Sequence, residues 1–128
     1  MSPVPITSVI AAIFGVMLVF LSLRVGLLRS KEKIWFLDGG NEELTRRIRA
    51  QGNFIEYVPL ALLLIALVEL GGGSGGLVWA LGAGLLAARV AHAVGVSLAT
   101  TSPARSAGTL GTFAVLLVAA GWLLLGNL

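Results

Sequence analysis

The sequence predicts an all-α membrane protein, a bundle of four transmembrane helices in a single domain spanning residues 1–128, and three observations carry that prediction. The chain is 57% hydrophobic and only 12% charged, with a mean hydropathy of +0.97, which is more apolar surface than a soluble domain of this length can cover. Four apolar stretches recur along it, separated by polar or glycine-rich connections. Most of the charges gather in those connections and near the helix ends, with Glu56 and Arg89 standing inside helices.

The first helix is expected over about residues 6–29. Residues 6–23 are uncharged and, at the helical rise, about 27 Å long, close to one hydrocarbon thickness. No basic residue precedes them and positive charge follows, which reads as a spanning helix with its N-terminus outside the cytoplasm rather than a cleaved leader. Arg24 and Arg29 then sit in its last turns, where they snorkel or pair.

A polar connection follows, and its Asp38-Gly39-Gly40-Asn41 run is a turn signal. The second helix is expected over about 43–70, with Glu42 and Glu43 near its start, where they complement the helix dipole. It is longer than a membrane is thick, so residues 46–53 project into the interface while 54–70 span. Pro59 inside it removes one backbone donor. The glycine-rich run at 71–76 stops that helix; it has no lysine and no preceding strand, so it is a turn and not a phosphate loop. The third helix is expected over about 77–98. A link at 99–103 precedes the fourth, over about 104–125, with Pro103 suited to the helix start. Gly82, Ala83, Gly84, Ala87 and Ala88 are small enough for close helix contact, within or between subunits.

Net charge is +3, but seven of the nine basic residues (Arg24, Arg29, Lys31, Lys33, Arg46, Arg47 and Arg49) lie in the first connection and its flanks. In a membrane protein such clusters report orientation and contact with anionic lipid rather than nucleic acid. Arg105 marks the third connection and the second has no basic residue, so the first and third face the cytoplasm and both termini lie outside. There is no cysteine, which excludes disulfides, thiolate metal ligands and a protein thiol nucleophile.

Ionisable residues near hydrocarbon are candidate sites. Arg49, Asn53 and Glu56 follow i, i+4, i+7 spacing and share a helical stripe. Arg49 is a bidentate carboxylate binder, Asn53 donates and accepts, and Glu56 receives an ammonium or amide N–H. That mixture suits a zwitterionic, peptide-like ligand; the same spacing equally suits an Arg–Glu pair that locks helices together. Arg89 and His92, at i and i+3, form a second stripe, with hydrogen bonding to a neighbouring helix its ordinary use. One histidine without cysteines does not make a metal site. Arg105 stands at a helix start, where an anion is favoured. Glu69, beside the glycine run, is expected to be solvated and without a role.

The run R-A-Q-G-N-F-I-E-Y-V-P at 49–59, the A-R-x-x-H pattern at 88–92, Pro-x-Arg at 103–105 and the Asp38-Gly39-Gly40 turn resemble the MAPEG family, membrane-associated proteins in eicosanoid and glutathione metabolism, and its short bacterial members in particular. The likeness extends over nearly all of the chain. It implies a homotrimer of four-helix subunits in the bacterial inner membrane, binding glutathione between neighbouring subunits on the cytoplasmic side. It assigns glutathione contacts to Arg29, Arg49, Gln51, Asn53, Glu56 and Tyr57, a catalytic role beside the sulfur to Arg105, and supporting roles to Arg89 and His92, with no metal. It implies glutathione transferase or peroxidase activity on hydrophobic electrophiles or lipid hydroperoxides that arrive from the bilayer. One position departs from the pattern: Val96 stands where many catalytic members carry a tyrosine, nine residues before the arginine. That favours an alternative, a glutathione- or lipid-binding protein without turnover; a more distant one is a small four-helix transporter using Glu56.

Overall fold

The computed structural model describes residues 1–98 and 102–128. It contains four helices, α1 (Pro5–Glu32), α2 (Glu42–Leu70), α3 (Gly75–Leu98) and α4 (Pro103–Asn127), each long and apolar enough to cross a membrane. The link expected at 99–103 lies partly outside the described residues.

Local chemistry sets the helix ends. Lys33 closes α1 in the left-handed conformation, its N–H bonded to the carbonyl of Arg29. Asn41 opens α2 by accepting from the N–H of Leu44 at 2.9 Å. Ser74 accepts from Leu77 N–H at 3.1 Å, and this cap starts α3 at Gly75, two residues before the expected Leu77. Ser102 caps α4 by accepting from Arg105 N–H at 3.1 Å. Pro59 lies on an exposed face of α2, which continues through it as one helix.

The core runs the length of α2. Phe54, Val58, Ala61, Ile65 and Val68 recur at helical spacing and bury against Ile10, Phe14 and Leu21 of α1, Val78, Leu81 and Leu85 of α3, and Val115 and Ala119 of α4. The opposite faces carry Val16, Val19, Leu60, Leu63, Leu117 and Val118, all exposed, as helices in lipid require. Among the described residues α1 and α4 do not touch, so α2 and α3 form the middle of the bundle.

Glycines determine how close the helices come. A side chain at Gly82 would collide with Ile10 of α1. One at Gly108 would meet the backbone N of His92 at 2.5 Å and the carbonyl of Ala88 at 2.6 Å. Gly82 and Ala88 therefore work within the protomer, whereas Ala83, Gly84 and Ala87 are exposed.

Glu69 is not the idle, solvated residue expected. It is half-buried and accepts from Ile6 N–H at 2.9 Å, Thr7 N–H at 2.8 Å and the Thr7 hydroxyl at 2.6 Å. These donors are left over at the start of α1, where a helix has no acceptors of its own, so Glu69 ties the end of α2 to the beginning of α1.

Candidate functional site

The start of α2 is rich in charge, and most of it is internally paired. Arg46 meets Glu42 at 2.7 Å and Arg47 meets Glu43 at 2.6 Å, both i, i+4 pairs in the favourable order. Arg47 also donates to the carbonyl of Arg24 at 2.8 Å. Below them the pattern changes. Arg49 and Glu56 stand 3.6 Å apart with side chains 54% and 51% exposed, and the Oδ1 atom of Asn53 is buried without a hydrogen-bond partner. Such an orphaned acceptor calls for an explanation.

Behind this stripe lies Arg89, 1% exposed. Its guanidinium carbon sits 6.0 Å from the centroid of the Phe54 ring. Its hydrogen bonds are long, 3.5 Å to the Thr112 hydroxyl and 3.4 Å to His92 Nδ1, and Nε has no partner. His92 is 2% exposed. Arg49, Arg89 and Arg105 all lie within electrostatic reach of the His92 ring, and Glu56 and Tyr57 within reach of Arg89. Tyr57 meets Phe113 of α4 edge-on, with centroids 5.6 Å apart.

Gly95 and Gly108 make this convergence possible. A Cβ at Gly95 would stand 2.7 Å from the Ser102 hydroxyl and 2.8 Å from Arg105 Cα, so only glycine lets the first turn of α4 lie directly on α3. That turn carries Arg105, half-buried at a helix N-terminus.

The structure thus draws Arg49, Asn53, Glu56, Tyr57, Arg89, His92 and Arg105 into one polar region spanning α2, α3 and α4. It separates two other predicted residues from that stripe. Arg29 donates from Nη1 to the carbonyls of Ile34 at 3.0 Å and Leu37 at 2.8 Å, which engages it with the α1–α2 loop. Gln51 lies on a different side of α2 and donates to the Ser22 hydroxyl of α1 at 2.9 Å. Val96 faces the apolar core.

Some contributors were missed by sequence reasoning. Thr112, fully buried, gives Arg89 an acceptor while donating to the Gly108 carbonyl at 2.8 Å; a threonine one turn after a glycine is a faint signal. Ser102 was readable as a cap from the Ser-Pro pair ahead of α4.

Openings border the region. Leu37, Asp38, Thr45, Ile48 and Arg49 line one of about 440 Å³, and Arg105, Ser106, Thr109 and Leu110 line another of about 350 Å³. A lateral groove of about 430 Å³ between α1 and α3 is walled by Phe20, Leu21, Val90 and Val94 and bounded by Arg24 and Ser97, which hydrogen bond at 3.1 Å. None of the stripe residues line that groove. Among the described residues no cluster of metal-ligating side chains forms.

Comparison with known proteins fits these features. The chain is 33% identical over 90 residues to the inner membrane protein YecN of Escherichia coli strain K12, covering 70% of this chain and 69% of that protein. The YecN protein of the O6:H1 strain matches to the same extent. No solved structure matches. The family model of the MAPEG family matches residues 7–125, and the chain, with its four membrane-crossing helices, belongs to that family.

Proposed function

We propose that this protein is a glutathione transferase or peroxidase of the bacterial inner membrane, working as a homotrimer that holds glutathione between neighbouring subunits. The observation that carries this reading is the unfinished stripe on α2. Glu42 and Glu43 close their ion pairs at 2.7 and 2.6 Å, whereas Arg49 and Glu56 remain 3.6 Å apart and half exposed, beside an unpartnered Asn53 oxygen. Glutathione offers what those groups lack. Its carboxylates suit the Arg49 fork, its ammonium suits Glu56, and its peptide N–H groups suit the Asn53 acceptor once that side chain turns outward. A half-exposed stripe on a protomer surface is what a site shared across a subunit seam requires.

Arg29 and Gln51 enter this reading as braces, one holding the α1–α2 loop and the other holding α1 against α2, while Tyr57 sets the stripe against Phe113. The family relationship and the inner-membrane location of the YecN relatives support the setting. The excess of basic residues in the first loop supports a site facing the cytoplasm, with both termini outside.

The chemistry is thiolate activation. A free thiol titrates at about pH 8.5, so most is protonated at neutrality, and a nearby cation favours the nucleophilic thiolate. Arg105 supplies the cation, and the α4 N-terminus adds its partial positive charge. Each unit of thiol pKa lowering corresponds to about 1.4 kcal/mol. A hydrophobic electrophile or lipid hydroperoxide reaches the sulfur from the bilayer.

Calorimetric titration and a conjugation assay with an aryl halide test this. Arg49→Ala is expected to weaken glutathione binding by about tenfold or more, the equivalent of about 1.4 kcal/mol. Arg105→Ala is expected to keep affinity within a fewfold and lose most conjugation. Parent-like conjugation by both variants overturns the assignment. A second reading, binding without turnover, is favoured by Val96, whose apolar side chain is packed in the core and offers no hydroxyl; glutathione affinity without a thiolate absorbance would select it. Absence of glutathione binding altogether would favour transport through Glu56.

A further inference from the structure

The loop that follows α1 is folded so as to hold three large apolar side chains outward. Lys33 turns the chain through a left-handed residue, and Ile34 comes back to pack against the cluster of Val25, Leu28 and Leu44. Arg29 then secures the returning loop by donating to the carbonyls of Ile34 and Leu37. Leu37 itself adopts a φ of 54°, an uncommon conformation for a bulky residue. What this arrangement leaves outside is Trp35, Phe36 and Leu37, exposed by 65%, 86% and 83%. Neither the core nor the α2 stripe uses Trp35 or Phe36.

Their level along the bundle identifies what they meet. Ile34 packs against Val25 and Leu28, and Arg29 reaches the carbonyls of Ile34 and Leu37, so the loop sits against the charged last turns of α1, beyond the uncharged stretch that ends at Leu23. This is the zone between hydrocarbon and headgroups, in which tryptophan is enriched. Lys31 and Lys33 immediately precede the loop and are exposed; they outnumber the exposed Glu32 between them and leave the positive charge that anionic headgroups attract.

We propose that residues 35–37 are a membrane-interface anchor: Trp35, Phe36 and Leu37 insert among the headgroups and upper acyl chains, and Lys31 and Lys33 contact anionic lipid phosphates. The consequence reaches the site region, because Leu37 and Asp38 also wall the opening beside Arg49. The anchor stands on its own observations and does not depend on the glutathione reading.

The chain has no cysteine, so a nitroxide attached to Phe36→Cys is unique. In lipid nanodiscs, collisions of this label with oxygen and with a water-soluble nickel chelate report its depth. The Phe36→Cys label is expected to favour oxygen severalfold more than one at Glu42→Cys, which is exposed at the same end of the bundle. Adding phosphatidylglycerol to phosphatidylcholine is expected to deepen it further, and Lys31→Gln with Lys33→Gln to abolish that response. Chelate access equal to that at Glu42 overturns the anchor. Weak collision with both reagents also overturns it, since the loop would then be covered by a neighbouring subunit. A depth indifferent to phosphatidylglycerol in the parent overturns the headgroup contact.

Discussion

Two carboxylates of α2, Glu69 in its last turn and Glu56 at its midpoint, are treated by the fold in opposite ways. Glu69 receives three donors at 2.6 to 2.9 Å from the start of α1. Glu56 has Arg49 at 3.6 Å, with both side chains about half exposed. A polar group at the end of an apolar span is therefore not a site merely by being polar. Saturation separates the cases: a carboxylate whose acceptors are filled by the fold is structural, and one left open is available to a ligand.

The largest expected effect lies at the saturated carboxylate. Glu69→Ala removes three hydrogen bonds to a charged group and orphans two backbone donors of α1, a loss of about 2–3 kcal/mol, readable as a lowered melting temperature in detergent micelles. Glutathione affinity should stay within twofold of the parent. Unchanged stability would break the distinction between the two carboxylates.

Glu56→Ala should show the reverse. An ion pair this long and this exposed contributes about 0–1 kcal/mol, so the melting temperature should hardly move, whereas calorimetry should find glutathione binding weakened by about tenfold, or about 1.4 kcal/mol. A variant that melts early and still binds would show that Glu56 is a helix lock, the other reading its spacing allows.

Arg89 sharpens the rule from inside the bundle. Its guanidinium is buried, its hydrogen bonds are 3.4 and 3.5 Å long and its Nε is unpartnered. A buried charge so poorly matched adds little stability, and an apolar side chain of similar volume is often tolerated or preferred. Arg89→Met is expected to leave stability unchanged or raise it by about 1 kcal/mol, while conjugation falls severalfold. A large loss of stability would mean that the long contacts underestimate its structural role.

These contrasts also explain what was legible from residues alone. The four helices were readable because hydropathy and helical period act locally, and the buried face of α2 repeats at a single spacing. The Arg49, Asn53 and Glu56 stripe was readable because i, i+4, i+7 positions share a face on any helix. Gln51 sits two residues from Arg49, so the same geometry turns it toward α1 and Ser22. Glu69 was opaque because its partners are backbone N–H groups some sixty positions earlier, which no side-chain pattern announces. The closeness of α3 and α4 was opaque for a related reason: Gly95 and Gly108 acquire meaning only from the Arg105 and His92 backbones they admit.

The smallest expected effect belongs to the turn that walls the Arg49 opening. Asp38 accepts from Gly40 N–H at 3.0 Å and from the Thr45 hydroxyl at 2.8 Å, and these bonds, the backbone one foremost, hold its carboxyl below the usual range for aspartate. A lowered folded pKa means the contribution to stability is fully present above the unfolded value of about 3.9 and is lost as pH falls through the folded value. The difference in melting temperature between the parent and Asp38→Ala should therefore be small, constant near neutrality, and should shrink as pH drops below the aspartate range. A difference that instead grows under acid would mean that protonated Asp38 anchors the turn better than the carboxylate does, against the donors that surround it.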